Sequence, residues 1–371
     1  MSADQLPGLV QQVLWGAFVL GALFGAVAQR AHFCTMGALA DIVTMGDWTR
    51  LRMWALAVGV ATLGFSAMAA AGWIDATDSV YARPQLIWLS NLAGGALFGF
   101  GMVLASGCGS KTLVRIGGGN LKALVVFCVL GLASYATLRG LTAVWRVETL
   151  DRAMVELPVG QDLPSLLQYV TGLSRPLAVA LLGGSFGLAL TGWALARPEG
   201  RSADNLLGGL GIGSVIVAAW WLSGVHGHVA EHPLTLEETF LATNTRSMES
   251  FTFVAPIAYT LDWFILYSDA NKLLTFGIMS VLGVIVGSAV VAVATRSFRW
   301  EGFAGTEDTA NHVVGAVLMG IGGVTAFGCT VGQGLSGLST LSLGSFIAVA
   351  GIAGGAVAGI RYQAWRLERL L

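Results

Sequence analysis

The chain has 371 residues, of which 55% are hydrophobic and only 11% charged, with a formal net charge of -1 and a mean hydropathy of +0.73. A soluble domain carries about 25% charged residues, so a water-soluble globule is excluded and an integral membrane protein is indicated. The near-neutral charge gives no basis for a nucleic-acid partner, and four cysteines in apolar surroundings do not form a secreted disulfide framework.

The N-terminal stretch MSADQLPG has no positive region and no small-residue cleavage site, so the apolar run behind it is expected to be a retained helix rather than a signal peptide. Runs of about 20 apolar residues then predict an all-α protein with about nine transmembrane helices, at 9–29, 53–74, 86–106, 123–144, 176–196, 206–224, 274–295, 312–328 and 342–361. An odd number of spans separates the termini. With the N-terminus outside, 13 of the 20 Lys and Arg fall in the cytoplasm and 7 outside, although the outer side owns the two longest loops. The positive-inside rule therefore predicts a bacterial inner-membrane protein with a periplasmic N-terminus and a cytoplasmic C-terminus.

The first span carries GALFG at residues 21–25 and the third repeats it at 95–99; in both, a cysteine follows nine residues after the last glycine, at Cys34 and Cys108. A third copy, GAVLMGIGGVTAFGC at 315–329, superposes without a gap on 94–108 and ends at Cys329. VLGVIVG at 281–287 resembles VLGALFG at 19–25, but SFRWEGF at 297–303 stands where a fourth thiol is due. Because the third span runs inward and the eighth outward, their matching motifs predict two inverted-topology repeats, about 1–145 and about 176–371, flanking an outer loop at 146–175 within one transporter domain. After each of these cysteines the chain turns polar and glycine-rich, as in GSKTLVRIGGGN after Cys108. Such stretches are too polar for lipid and predict short broken or re-entrant helices near the midplane.

Glycine beside a thiol, at Gly107, Gly109 and Gly328, is expected to expose backbone N–H groups, and a half-helix N-terminus adds a positive dipole end toward an anion. Ser106, Ser110, Thr112, Thr330 and Gln333 are neutral donors that either meet a substrate or satisfy broken backbone. Lys111 is the charged candidate for attracting an anion, whereas Arg30 and Arg296 end equivalent helices and read as positive-inside anchors. Cys128, without a repeat partner, reads as a small buried hydrophobe. His226, His228 and His232 lack an acidic or cysteine partner, so no metal and no cofactor is expected. Trp88, Trp220, Trp221 and Trp365 fall near span ends and predict an interfacial belt. GSKT at 109–112 lacks the upstream glycine of a phosphate loop, which removes the sequence basis for ATP-driven transport.

RAHFCTMGAL, GMVLASGCGSKTLVRIGGGN and TAFGCTVGQGLSG, with the outer segment FTFVAPIAY before the seventh span, extend over nearly the whole chain. These segments resemble the signature regions of the YeeE/YedE family of sulfur-compound transporters, whose best understood members import thiosulfate. The resemblance implies an hourglass of inverted repeats with Cys34, Cys108 and Cys329 lining a central path. Some members carry or accompany a small soluble sulfurtransferase; the chain ends at Leu371 just after its last span, so a separate TusA-like partner on the cytoplasmic side is the expected arrangement.

A neutral thiol is a weak donor on a soft atom, so it can touch both the sulfur and the oxygens of thiosulfate without trapping the ion. Passage needs weak successive sites. A thiolate would repel a dianion, so the path requires protonated cysteines. The expected function is import of thiosulfate or a closely related sulfur oxyanion, without enzymatic chemistry. Three alternatives stay open: a persulfide-relay sulfurtransferase, a carrier of another sulfur or selenium species, and a soft-metal transporter, although CxxC spacing and a Met-rich path are absent.

Overall fold

The computed structural model describes residues 5–233 and 235–369. Residues 1–4, 234 and 370–371 lie outside it, and with them the first half of MSADQLPG and the end at Leu371. Among the described residues nine long helices overlap the nine expected spans: α1 (Leu6–Arg30), α3 (Thr49–Ala70), α4 (Trp88–Leu104), α6 (Leu121–Arg139), α9 (Arg175–Leu195), α10 (Ala203–Trp221), α12 (Phe276–Ala294), α13 (Thr306–Thr325) and α14 (Leu343–Glu368). Eight spanning candidates are long and apolar enough to cross a membrane. The ninth, α13, has the length but opens on Thr306, Glu307 and Asp308, which lowers its hydropathy. The expected all-α membrane fold is therefore present. Five shorter helices fill the gaps: α2 (Thr35–Met45), α5 (Gly109–Gly117), α7 (Leu141–Glu148), α8 (Leu163–Thr171) and α11 (Val254–Ile265).

The glycines set the interhelix spacing. A Cβ on Gly25 of α1 would stand 2.1 Å from the Val284 carbonyl oxygen, and one on Gly287 of α12 would stand 1.9 Å from that of Ala22. The pair α4 and α14 repeats this register: a Cβ on Gly99 would meet Ile352 O at 2.0 Å, and one on Gly355 would meet Ala96 O at 2.0 Å. The two copies of GALFG thus make the same parallel close packing with two different partners. Small residues permit such backbone approach where lipid supplies no hydrophobic drive between helices. Helices α4 and α13 cross antiparallel, with Gly94 against Gly322 and Gly101 against Gly315.

One expectation for the tryptophans needs correction. Trp220 is not interfacial: it is fully buried, donates its indole N–H to Ser339 Oγ at 3.0 Å and packs edge-on against Phe65, whereas Trp88, Trp221 and Trp365 are exposed as expected. A single buried acceptor outweighs position along the span. FTFVAPIAY reaches into the core. Phe251 and Phe253 are fully buried against Phe24 of α1, so this segment enters the core and α11 returns from it.

The connection at 146–175 is a packed lid. Its strand at 155–156 pairs antiparallel with 85–86, Asp162 caps α8 by accepting from the Ser165 N–H at 3.0 Å, and the Leu163 N–H donates to Leu341 O at 3.1 Å. These bonds tie it to the turn that starts α14.

Candidate functional site

Four helices end in one motif. After α1, α4, α13 and α12, a left-handed residue stands at His32 (φ 52°), Ser106 (φ 57°), Phe327 (φ 59°) and Arg296 (φ 55°). The next N–H reaches back five residues in each case: Phe33 to Ala28 O, Gly107 to Met102 O, Gly328 to Gly323 O, and Ser297 to Ala292 O. This is the six-to-one closure of a helix C-terminus, here on non-glycine residues, which costs about 1–2 kcal/mol each. The residue that follows is Cys34, Cys108 or Cys329, and after α12 it is Phe298. Arg296 therefore corresponds to His32 rather than to Arg30, and Phe298 occupies the fourth thiol position. Arg30 itself is exposed and pairs with Asp204 at 3.3 Å, as an anchor would.

Each cysteine then opens a new segment. Cys34 is the N-cap of α2 and its Sγ accepts from the Gly37 N–H at 3.3 Å. Cys108 is the N-cap of α5, is buried, and lies 3.3 Å from Ser110 Oγ. Cys329, fully buried, accepts from the Gly332 N–H at 3.5 Å at the start of the π-helical turn 332–337. Cys108 lies within electrostatic reach of both other thiols. Cys128 is exposed on α6, which contradicts its expected burial: the thiol faces outward among apolar side chains rather than into the core.

The expected donors divide sharply. Gly107 and Gly328 do not offer their N–H groups, because those bonds close α4 and α13; Gly109, first residue of α5, keeps an N–H outside the helical ladder. Gln333 is engaged at both ends of its amide: its Nε2 donates to Ala326 O at 2.6 Å and its Oε1 accepts from Ser345 Oγ at 2.6 Å. Thr112 donates to Cys108 O at 3.1 Å. Thr330 is 2% exposed and its hydroxyl has no partner among the described residues, so it is a free donor beside Cys329. Ser106 forms the left-handed corner itself.

Lys111 lies one turn into α5, in electrostatic reach of Cys34, Cys108, Arg50 and Arg115, with no ion-pair partner among the described residues. Arg50 of α3 packs onto Gly37 while also pairing with Asp41 at 3.3 Å. Three cations thus gather where Cys34 and Cys108 open their helices. On the side of Cys329, a cavity of about 220 Å³ has Gly328 in its wall and is lined further by Tyr81, Arg83, Arg146, Glu249, Thr252 and Tyr259. Burial pushes the Glu249 carboxyl above its ordinary pKa, against the bonds it accepts from Thr245.

Sequence reading missed Arg50, Arg115, Tyr81 and Thr252. Arg115 follows Lys111 by four residues, the spacing that puts both on one face of a helix. The rest come from separate segments, and no local pattern announces them. His226 bonds to Gln12 of α1 at 3.0 Å, and His228 bonds to Glu238 at 2.6 Å, so the expected lack of an acidic partner does not hold for His228.

Apolar spanning helices around buried broken segments define a multi-pass membrane protein. The chain belongs to the sulphur transport family, whose model matches residues 30–358. It is 28% identical over 327 residues to the thiosulfate transporter TsuA of Escherichia coli strain K12, covering 87% of each chain. It is 25% identical over 351 residues to the thiosulfate transporter TsuA of Spirochaeta thermophila, covering 91% of this chain and 94% of the relative. A shorter match, 29% over 112 residues and 30% of this chain, is to the probable transporter YedE of Escherichia coli, 26% of whose length it covers. The chain is a sulfur-compound transporter.

Proposed function

We propose that this protein imports thiosulfate, or a closely related sulfur oxyanion, across a bacterial inner membrane by non-covalent passage along its thiols. The observation that carries the reading is the placing of Cys34, Cys108 and Cys329 on one helix-breaking motif, with Cys108 within reach of both others. The ion enters through the cavity at Gly328, attracted by Arg83 and Arg146. It then passes Cys329, Cys108 and Cys34 in turn, with Thr330 and the free N–H of Gly109 as further neutral donors. Lys111, Arg50 and Arg115 draw it out on the far side.

In this reading the cavity is periplasmic and the cation-rich face cytoplasmic, where a soluble TusA-like sulfurtransferase receives the sulfur. The antiparallel crossing of α4 and α13 through matched glycines supports the division into inverted repeats, about 1–145 and about 176–371. Uptake of sulfur-35-labelled thiosulfate into proteoliposomes tests the proposal. Saturable uptake competed by thiosulfate and not by chloride is the expected result; uptake equal to that of empty vesicles overturns it.

A further inference from the structure

Trp54 of α3 is half-buried, and its indole N–H is buried with no acceptor among the described residues. An indole N–H can only donate, so among the described residues this donor is left unused. Its ring lies against Gly334 in the turn that follows Cys329, where a Cβ would come within 3.0 Å of Cζ2 and 3.7 Å of Cε2, the atom bonded to Nε1. Any side chain at 334 would press on that edge. One helical turn before Trp54, Arg50 packs onto Gly37 beside Cys34. The same face of α3 therefore runs from the Cys34 break to the Cys329 break, and along it the residues offer a cation and an unpaired N–H. Another free donor at the Cys329 break is the Thr330 hydroxyl, 2% exposed and likewise without a partner among the described residues.

A buried donor without an acceptor is costly. Trp220, by contrast, has its acceptor in Ser339, so fixed pairing of a buried indole is available to this fold and is not used at Trp54. We infer that the Trp54 indole N–H is a substrate-positioning donor, bonding an oxygen of the passing sulfur oxyanion between Cys329 and Cys34. It rests on the transport reading above. The geometry gives Trp54 a division of labour with the thiols: soft donors meet the terminal sulfur, and a hard, directional N–H meets an oxygen. It thereby favours ions that carry both kinds of atom.

The test removes the N–H, once with the bicyclic ring and once without it. Trp54→Phe, and a benzothienylalanine introduced at position 54, which puts sulfur in place of the indole N–H at nearly equal volume, are purified and reconstituted. Labelled thiosulfate uptake is measured against concentration, and melting is followed for each protein. The half-saturating concentration is expected to rise about tenfold in both, the factor that a hydrogen bond to a charged group corresponds to, while the benzothienyl protein melts as the wild type does. Azatryptophan, which retains the N–H, restores the wild-type value. An unchanged half-saturating concentration in the benzothienyl protein overturns the role of Trp54 while leaving thiosulfate transport intact. A wild type that moves no thiosulfate overturns both.

Discussion

The Tyr81 hydroxyl donates a 2.8 Å hydrogen bond to the carbonyl oxygen of Gly332, tying the segment before α4 to the turn three residues beyond Cys329. Tyr81 is buried and also meets Trp220 edge-on at 6.3 Å, so it clamps the break from the cavity side. Tyr81→Phe keeps the ring and strands a buried carbonyl, at a cost of about 1–3 kcal/mol. Lower melting temperature and slower thiosulfate uptake are expected together. A variant that melts and transports like the wild type would show that the clamp carries no strain.

Close helix packing gives a second prediction. Gly99→Ala places a methyl group 2.0 Å from Ile352 O, inside a backbone that has no flexible side chain to move aside. Gly184 faces open space, with nothing within 4 Å of an added Cβ. Gly99→Ala is expected to lose about 1–3 kcal/mol or more through overpacking, whereas Gly184→Ala retains wild-type melting. Equal melting of the two would remove the argument that GALFG is a packing register.

Glu249 yields a pH dependence. Burial raises its native pKa above the ordinary glutamate value, so the folded state favours the protonated form. Its contribution to stability is then full below the unfolded value of about 4.3 and is lost as pH rises through the raised native value. Melting of the wild type between pH 4 and 8 should carry this decline, and Glu249→Gln, which keeps an acceptor for the Thr245 donors, should carry less of it. Parallel curves for the two proteins would refute the assignment.

Cysteine replacement separates the repeat from its accidents. Cys34→Ala, Cys108→Ala and Cys329→Ala are each expected to cut uptake to about a tenth or less, equivalent to about 1.4 kcal/mol at one step. Cys128→Ala, exposed on α6, should transport normally. A damaged Cys128→Ala would mean that the helix-break motif does not mark the functional thiols.

The spans and the three helix breaks were legible in the sequence because each rests on a local pattern: runs of apolar residues, the repeated GALFG, and a cysteine nine residues on. What escaped was pairing across the chain. Gln333 and Thr330 are both polar residues beside one thiol, yet only the fold shows that Gln333 is consumed by Ala326 and Ser345 while Thr330 stays free. Trp220 and Trp221 are adjacent and identical in type, and one finds Ser339 inside the core while the other remains exposed. The fourth break shows the same limit. Its glycines matched α1 and placed SFRWEGF at the missing thiol, but only the left-handed Arg296 picks out Phe298 within that stretch.

Passage and relay predict opposite responses to alkali. If neutral thiols hand the dianion along, uptake falls as pH rises through the range in which thiols ionise, with a free-cysteine reference of about 8.5, because each thiolate removes a donor and adds repulsion. A persulfide relay needs the thiolate as nucleophile, so its rate climbs over the same range. Cys329→Ser sharpens the contrast: a hydroxyl still donates but is harder and smaller, giving a partial rescue of passage and none of a relay. Uptake from pH 6 to 10, with membrane potential clamped at zero and equal pH on both sides, decides between them, and mass spectrometry of the exposed protein checks for an added sulfur atom on any of the three thiols. A sustained alkaline increase together with that adduct would establish the relay and overturn non-covalent passage.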